Sequence, residues 1–370
     1  MSEYQCYEFV ALDRPLTSKQ IAELRAISTR AEITPTRFWN EYQWGDLKAD
    51  PTKLVERYFD AHLYFANWGT HRLMLRIPTA RIDGKRLRLY FVGETTCARA
   101  IGDHLILDLQ SENEEPDYYE ESEGSLAALA PLRAALIRGD LRAAYLAWIL
   151  AVQMGHVVEE DVEPPVPPGL SELTAAQAAM VEFLRIDEDL IAAAGEGSER
   201  ASYEHPALRK WALGLAPRAK DAWIRRAIDD PDLALGNELL RTFRAEATPP
   251  GAVGPRTVRE LLSNAEKHRE QRERAETERA EEAKRRAEAA RRKRLGALAK
   301  RIDAAWVELE ALVAKSAYEE AIKLATDLRD LAKRDAAPAS FAAPFEAMRT
   351  RQLRRRGFFD RWKRQSKPQP

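Results

Sequence analysis

Cysteine is scarce in this chain. Only Cys6 and Cys97 occur among its 370 residues. Two thiols cannot build a disulfide framework, and they match no zinc-ligand spacing. Such usage points to a reducing compartment. Long apolar runs are also missing. The longest near a helix covers residues 143–154, well short of the roughly 20 residues that a membrane span needs. The opening MSEYQCYEFVALDRP has neither a basic nor an apolar signal region. The expectation is a cytoplasmic protein without a membrane span.

Catalytic signatures are equally sparse. Gly93-Glu94-Thr95-Thr96 lacks the glycines and lysine of a phosphate loop. No Gly-x-Ser-x-Gly elbow appears. His62, His71 and His104 have no second metal ligand at helix or hairpin spacing. Cys97 acts as a nucleophile only beside a base, and His104 is the one candidate near it in sequence. Asp46, Asp60, Glu94 and Asp103 offer carboxylates, but acids near turns are ordinary. The chain therefore reads as non-enzymatic, with no cofactor and no metal.

What the chain has in excess is charge, distributed unevenly. It is 45% hydrophobic and 32% charged, against an average charged share of about 25%. The net charge of −1 hides three different regions. Residues 1–110 carry 15 Lys+Arg and 14 Asp+Glu, residues 111–255 carry 13 and 26, and residues 256–370 carry 30 and 19. An acidic middle beside a basic tail attract each other as readily as the tail attracts an outside anion.

The first 110 residues alternate as strands do. Strands are expected at 4–12, 36–44, 62–66, 73–77, 86–92 and 105–109. Thr17 or Ser18 should cap one helix bearing Ile21, Leu24 and Ile27. Asp50-Pro51 should open a second, with Leu54, Val55, Tyr58 and Phe59 on its buried side. The alternation predicts an antiparallel sheet whose leucine face lies under these two helices. Residues 111–124 form an acidic linker, and an all-α domain should fill 125–250, interrupted by a proline-rich extended connector at 159–169. Asp230-Pro231 should start its last helix, and 248–255 should break the chain.

The tail changes character. Residues 256–294 are almost wholly Ala, Glu, Arg and Lys, with Glu270, Glu281, Glu282 and Glu288 each four residues before an arginine. Each such pair stabilises an isolated helix by roughly 0.2–0.5 kcal/mol, so this stretch can be helical without burying anything. Over about 40 residues it would be a rod of about 60 Å. Its apolar content is alanine alone, which supports a tight coiled coil poorly. From Leu295 to Leu312 leucines recur at 3-4 spacing over nearly three heptads. Within a C-terminal region of 295–370, residues 295–356 are expected to form a bundle of three antiparallel helices, followed by a basic C-terminus; copies of the chain can also associate through the helical tail.

Two surfaces qualify as binding sites for an anion or a partner. On the sheet, Arg72, Arg76, Arg86, Arg88 and Tyr90, with Met74 among them, would make an exposed basic strip of the kind that meets single-stranded nucleic acid. No ribonucleoprotein-type sequence accompanies them, and a solvated or domain-docked face reads the same way. At the C-terminus, Arg354, Arg355, Arg356, Arg361, Trp362, Lys363 and Arg364 mix bases with Phe358 and Phe359. There the competing reading is a terminal helix whose aromatics close the bundle. Trp39 and Trp68 stand out as candidate exposed partner anchors.

The runs Asp13-Arg14-Pro15-Leu16-Thr17 and Ser28-Thr29-Arg30-Ala31-Glu32-Ile33-Thr34, with Trp44-Gly45-Asp46 and Asn67-Trp68-Gly69, resemble uncharacterised bacterial cytosolic proteins over about the first 80 residues. That resemblance implies no activity. The tail bundle is faintly similar to the helical ends of SWIM zinc-finger proteins; the Cys-x-Cys and Cys-x-His ligands of that finger are absent, so zinc is not implied. The fold class expected is α+β: an N-terminal antiparallel sheet with two helices, an all-α domain, a long charged helix and a C-terminal bundle. The function expected is that of an interaction or adaptor protein with an unknown protein partner; the alternative is a nucleic-acid-binding protein using the basic sheet face or the C-terminal Arg cluster.

Overall fold

Alternation does set the sheet. A computed structural model describes residues 3–113, 126–199, 204–229, 235–247 and 256–365. Its first strand, β1 (Gln5–Val10), sends Tyr7 and Phe9 to one side and Cys6, Glu8 and Val10 to the other. The chain then enters α1 (Ser18–Ile27) through a capping box in which Thr17 and Gln20 bond reciprocally. Strands β2 (Glu32–Ile33) and β3 (Arg37–Tyr42) precede α2 (Pro51–Arg57), which has Asp50 as cap and Pro51 at its first position. Next come β4 (Ala61–Ala66) and β5 (Thr70–Pro78), which pair as an antiparallel hairpin. The short helix α3 (Gly84–Leu87), β6 (Thr96–Ile101) and β7 (His104–Glu112) complete this part. The sheet has seven strands in the order β2-β3-β1-β4-β5-β7-β6, all neighbours antiparallel. The α+β class is thus observed.

Three expectations fail here, each for a physical reason. Residues 86–92 are helical, not a strand. Asp83 accepts from the Arg86 N–H at 3.1 Å, capping α3, which a 3-10 turn at Arg88–Tyr90 continues. Leu87 and Tyr90, three apart, are buried, whereas Leu89 is 40% exposed. The buried period is therefore three, and the Asp-Gly start outweighs the apparent alternation. The strands that the alternation missed are the two-residue β2 and β6.

The second failure concerns which face the first two helices cover. Leu24 of α1 and Leu54 and Val55 of α2 pack with Phe9, Phe38 and Met74, on the face that also carries Arg72 and Arg76. The leucine face, with Leu63, Leu73, Leu75, Leu105, Leu107 and Leu109, meets a separate helical layer.

That layer is the third correction. It contains α4 (Leu126–Leu129), α5 (Pro131–Ile137), α6 (Arg142–Gln153), α7 (Ala175–Leu184) and α8 (Glu188–Gly195). These helices share one apolar core with the sheet, so the head and the helical middle are not separate domains. Ten consecutive residues of α6, Ala143 to Val152, are buried, as befits a helix enclosed on all sides. The connector at 159–169 is not a linker either. Glu163, Pro164, Pro165 and Pro167 are buried, and Val162 bridges to Thr257. Helices α9 (Glu204–Gly214), α10 (Pro217–Asp229) and α11 (Leu235–Ala247) follow. The acidic linker beyond residue 113, the Asp230-Pro231 start and the break at 248–255 lie outside the described residues.

The chain divides into two compact units, Met1–Gln271 and Arg272–Pro370. Helix α12 (Val258–Ala299) begins in the first, burying Val258, Leu261 and Ala265. It ends in the second, burying Leu295 and Leu298. Residues 276–294 between them are all exposed. Two of the expected i,i+4 pairs form, Arg285–Glu281 at 3.3 Å and Arg286–Glu282. The helix does not stop at residue 294; Leu295 and Leu298 belong to it, and the break falls at residues 300–301. The second unit adds α13 (Ile302–Ala314), α14 (Tyr318–Arg334), α15 (Ala339–Arg351) and α16 (Arg356–Gln365). The bundle therefore has more helices than the three expected, because α16 joins its core.

Candidate anion-binding surfaces

On β5 the side chains at even positions share the face beneath α2. There Arg72 meets Asp108 of β7 in a bidentate pair, Nε to Oδ1 at 2.8 Å and Nη2 to Oδ2 at 2.7 Å. Arg76 Nη2 lies 2.8 Å from Oδ1 of Asp60, and its Nη1 donates to the Glu56 carbonyl of α2 at 2.9 Å. A guanidinium whose Nε–Nη2 edge is already held by a buried carboxylate has its charge largely neutralised and less to offer an outside anion. Asp60 is buried; desolvation works to raise its carboxyl. The Asp13 N–H, Arg76 and the Leu12 N–H outweigh that and hold it below the usual range.

The remaining members of the strip are elsewhere. Arg86 is buried on α3 and donates to the Arg244 carbonyl at 3.3 Å; burial lowers its guanidinium below the usual arginine range. Tyr90 is 1% exposed, donates to the Pro165 carbonyl at 2.7 Å, and burial pushes its hydroxyl up to about 12. Arg88 alone points to solvent. The structure does not bring these five residues together on an open face. They belong to β5, α3 and the 3-10 turn after it, and four are occupied.

The terminal cluster is different. Helix α16 sets Phe358 fully inside the bundle core, with Phe359 and Trp362 packed against it. Phe358 lies 6.3 Å from Phe345 and Trp362 5.3 Å from Phe345, ring to ring. Arg329 of α14 sits over the Trp362 ring at 5.0 Å, and Arg361 sits over Tyr318 at 5.3 Å. The aromatics therefore close the bundle, and Trp362 is not an outward anchor. Gly357 abuts the Tyr318 ring, where a Cβ would meet it at 3.2 Å, so a small residue is needed for α16 to approach α14.

With the aromatics inward, the bases of α16 and of the turn before it are left outside. Arg354, Arg356, Arg361, Lys363 and Arg364 are exposed, while Arg355 is half-buried and donates to the Ser316 hydroxyl at 3.0 Å. Arg354, Arg356 and Arg364 make no ion pair among the described residues. The second unit carries 26 Lys+Arg against 16 Asp+Glu, a net of +10.

No protein-family model, curated protein or solved structure matches this chain.

The two thiols and the histidines His62 and His71 are held in protonation states and contacts set by burial. Cys6 is pushed up to about 12, chiefly by burial, and burial together with Asp108 raises Cys97. Neither thiol is poised to be a thiolate. Cys97 pairs with Asp108 and His104 with Ile101, at opposite ends of the β6–β7 ladder, so they form no nucleophile–base pair. His62 is fully buried, stacked 4.0 Å from Phe9, with Nδ1 on the Glu8 carbonyl at 2.9 Å; burial lowers it to about 3. His71 is locked between the Phe183 carbonyl and the Arg185 guanidinium. Among the described residues, no group of three or more His, Cys, Asp or Glu could hold a metal, and no helix is long and apolar enough to cross a membrane.

Sequence reasoning missed one buried polar centre. Glu163, from the proline-rich connector, is 0% exposed and takes Arg256 on both oxygens at 2.9 and 3.0 Å, with the Tyr145 hydroxyl donating as well. Arg256 also donates to the Ala193 and Ala194 carbonyls at the end of α8. This network fixes the first turn of α12. The only sequence signal was an acid directly before two prolines, Pro164 and Pro165.

Trp39 is half-buried, whereas Trp68 is 44% and Trp44 75% exposed, so the exposed tryptophans are Trp68 and Trp44. Arg30 lies 5.9 Å from the Trp44 ring.

Proposed function

We propose that this chain is a non-enzymatic interaction or adaptor protein acting in the cytoplasm, and that its binding element is the cationic C-terminal unit. One contrast carries the reading. Of the first unit's candidate arginines, Arg72, Arg76 and Arg86 lie against carboxylates or inside the core and Arg88 stands alone in solvent, whereas the C-terminal bases form an exposed cluster above an aromatic layer that fixes their helix. A helix whose backbone is already fixed by packing loses little backbone order on binding an anionic surface, and its cations speed and orient the encounter.

The test compares the full chain with an Arg354→Ala/Arg356→Ala/Arg364→Ala variant, each immobilised and exposed to native lysate. A partner retained by the parent chain and lost by the variant is the expected result. Identical retention by both would remove the proposal.

A second reading, nucleic-acid binding through the same helix, is favoured by the exposure of Arg354, Arg356 and Arg364 without a carboxylate partner among the described residues. It rests on α16 alone, since Arg72, Arg76, Arg86 and Tyr90 are occupied. Binding of this kind weakens steeply with salt, and salt-independent binding by α16 would exclude it.

A further inference from the structure

The last exposed turns of α12 form a second cationic surface that the sequence pattern of ion pairs had hidden. Residues 284–294 read Lys-Arg-Arg-Ala-Glu-Ala-Ala-Arg-Arg-Lys-Arg, seven bases with Glu288 as the single acid. Two of the bases face the bundle. Arg291 pairs with Asp330 at 2.7 Å and Arg294 with Asp327 at 2.6 Å, both on α14. Those two contacts fix the rotation of α12 and leave Lys284, Arg285, Arg286, Arg292 and Lys293 in solvent. Arg285 and Arg286 are 79% and 78% exposed even while paired with Glu281 and Glu282. Exposed pairs of this kind contribute little and exchange readily for a better anion.

Spacing gives the surface a shape. Arg285 and Arg292, and likewise Arg286 and Lys293, are seven residues apart. They therefore repeat on one face about 10.5 Å along the axis. The two rows lie about 100° apart around the helix, so cations project to more than one side. What is absent narrows the partner. From residue 272 to 294 the only apolar side chains are alanines, so nothing there could bury against an apolar groove or a coiled-coil partner. Ala287, Ala289 and Ala290 also let an anionic backbone approach closely.

We infer that this segment of α12 binds duplex DNA, with the helix lying in the major groove and its two cationic rows meeting the phosphates of both walls. A helix with its side chains is about 10–12 Å across, and the B-form major groove is about 12 Å wide. The major groove of duplex RNA is too deep and narrow to admit it. The inference rests on the reading of the C-terminal unit as an anion binder, but places the contact on a different helix.

The test measures binding of the full chain to a DNA duplex by fluorescence anisotropy across a salt series. Two variants are compared with the parent, Arg285→Ala/Arg286→Ala/Arg292→Ala/Lys293→Ala in α12 and Arg354→Ala/Arg356→Ala/Arg364→Ala in α16 and the turn before it, called the α16 variant. Alanine has the highest helix propensity, so circular dichroism should show the α12 helix retained. Loss of four phosphate contacts should flatten the slope of log K against log salt by about 3–4. A slope changed by the α12 variant supports the inference. Change confined to the α16 variant overturns it while leaving the nucleic-acid reading of α16 intact. Absence of DNA binding by the parent chain overturns both. Equal affinity for duplex RNA or poly-glutamate overturns the assignment to DNA.

Discussion

Arg256 places its guanidinium edge-on against Glu163, Nε to Oε2 at 3.0 Å and Nη2 to Oε1 at 2.9 Å, in an interior where Glu163 has no exposed surface. The pair joins two stretches 93 residues apart. Burying both charges is costly, and the contact is worth having only because the Tyr145 hydroxyl and the Ala193 and Ala194 carbonyls use the remaining bonding capacity.

Removing one partner should therefore be far worse than removing both. Arg256→Ala leaves a buried uncompensated carboxylate and should cost about 3–5 kcal/mol in urea unfolding of the full chain. The double variant Arg256→Met/Glu163→Leu should cost less than Arg256→Ala alone. A single-variant loss below about 1 kcal/mol would show that the pair is not holding the start of α12.

Stability should fall in mild acid through His62. Its folded-state value of about 3 lies below the ordinary 6.5, because burial disfavours the charged ring. Between those values the unfolded chain holds a proton that the folded chain does not. Stability from this group is thus complete above about pH 6.5 and declines toward pH 3, by about 1.4 kcal/mol per pH unit. His62→Leu should flatten the pH dependence of urea midpoints between about pH 7 and pH 4. Parallel curves for the two proteins would contradict this.

Leu87 and Leu89 distinguish helix from strand at residues 86–92. Leu87 is fully buried and Leu89 is 40% exposed. Leu87→Ala should cost about 2–5 kcal/mol, and Leu89→Ala should be within about 0.5 kcal/mol of neutral. Equal losses at both would restore the strand, since both leucines would then face one side.

Phe358→Ala should open the second unit by removing a fully buried ring, at about 3–5 kcal/mol. Hydrogen exchange should then lose protection across α13 to α16 while β1 to β7 keep theirs. Arg354→Ala, on the exposed side, should leave protection unchanged.

Local rules were readable wherever the cause was local. Thr17 with Gln20, and Asp50 with Pro51, announced α1 and α2, and five of the strands followed from alternation. The antiparallel sheet and the continuous charged helix were likewise legible. What failed depended on distant partners. No feature near Leu73 or Leu107 says that α4 to α8 rather than α1 and α2 will cover them. Arg72 and Arg76 read as an open strip because Asp108 and Asp60 lie 36 and 16 residues away. At the C-terminus two readings of the aromatics were open in the sequence, and only the position of Arg329 and Phe345 shows Trp362 turned inward.

Glu8 reaches across the leucine side of β1 and accepts the N–H of Leu126 at 2.9 Å, while holding Arg37 at 2.7 Å. During synthesis, the strands emerge well before the residues that shield them. A nascent chain that ends near residue 112 has every strand yet leaves six leucines bare until α4 to α8 leave the ribosome. Such an intermediate is a natural client for a holding chaperone, and a fragment cut at that point would precipitate rather than persist.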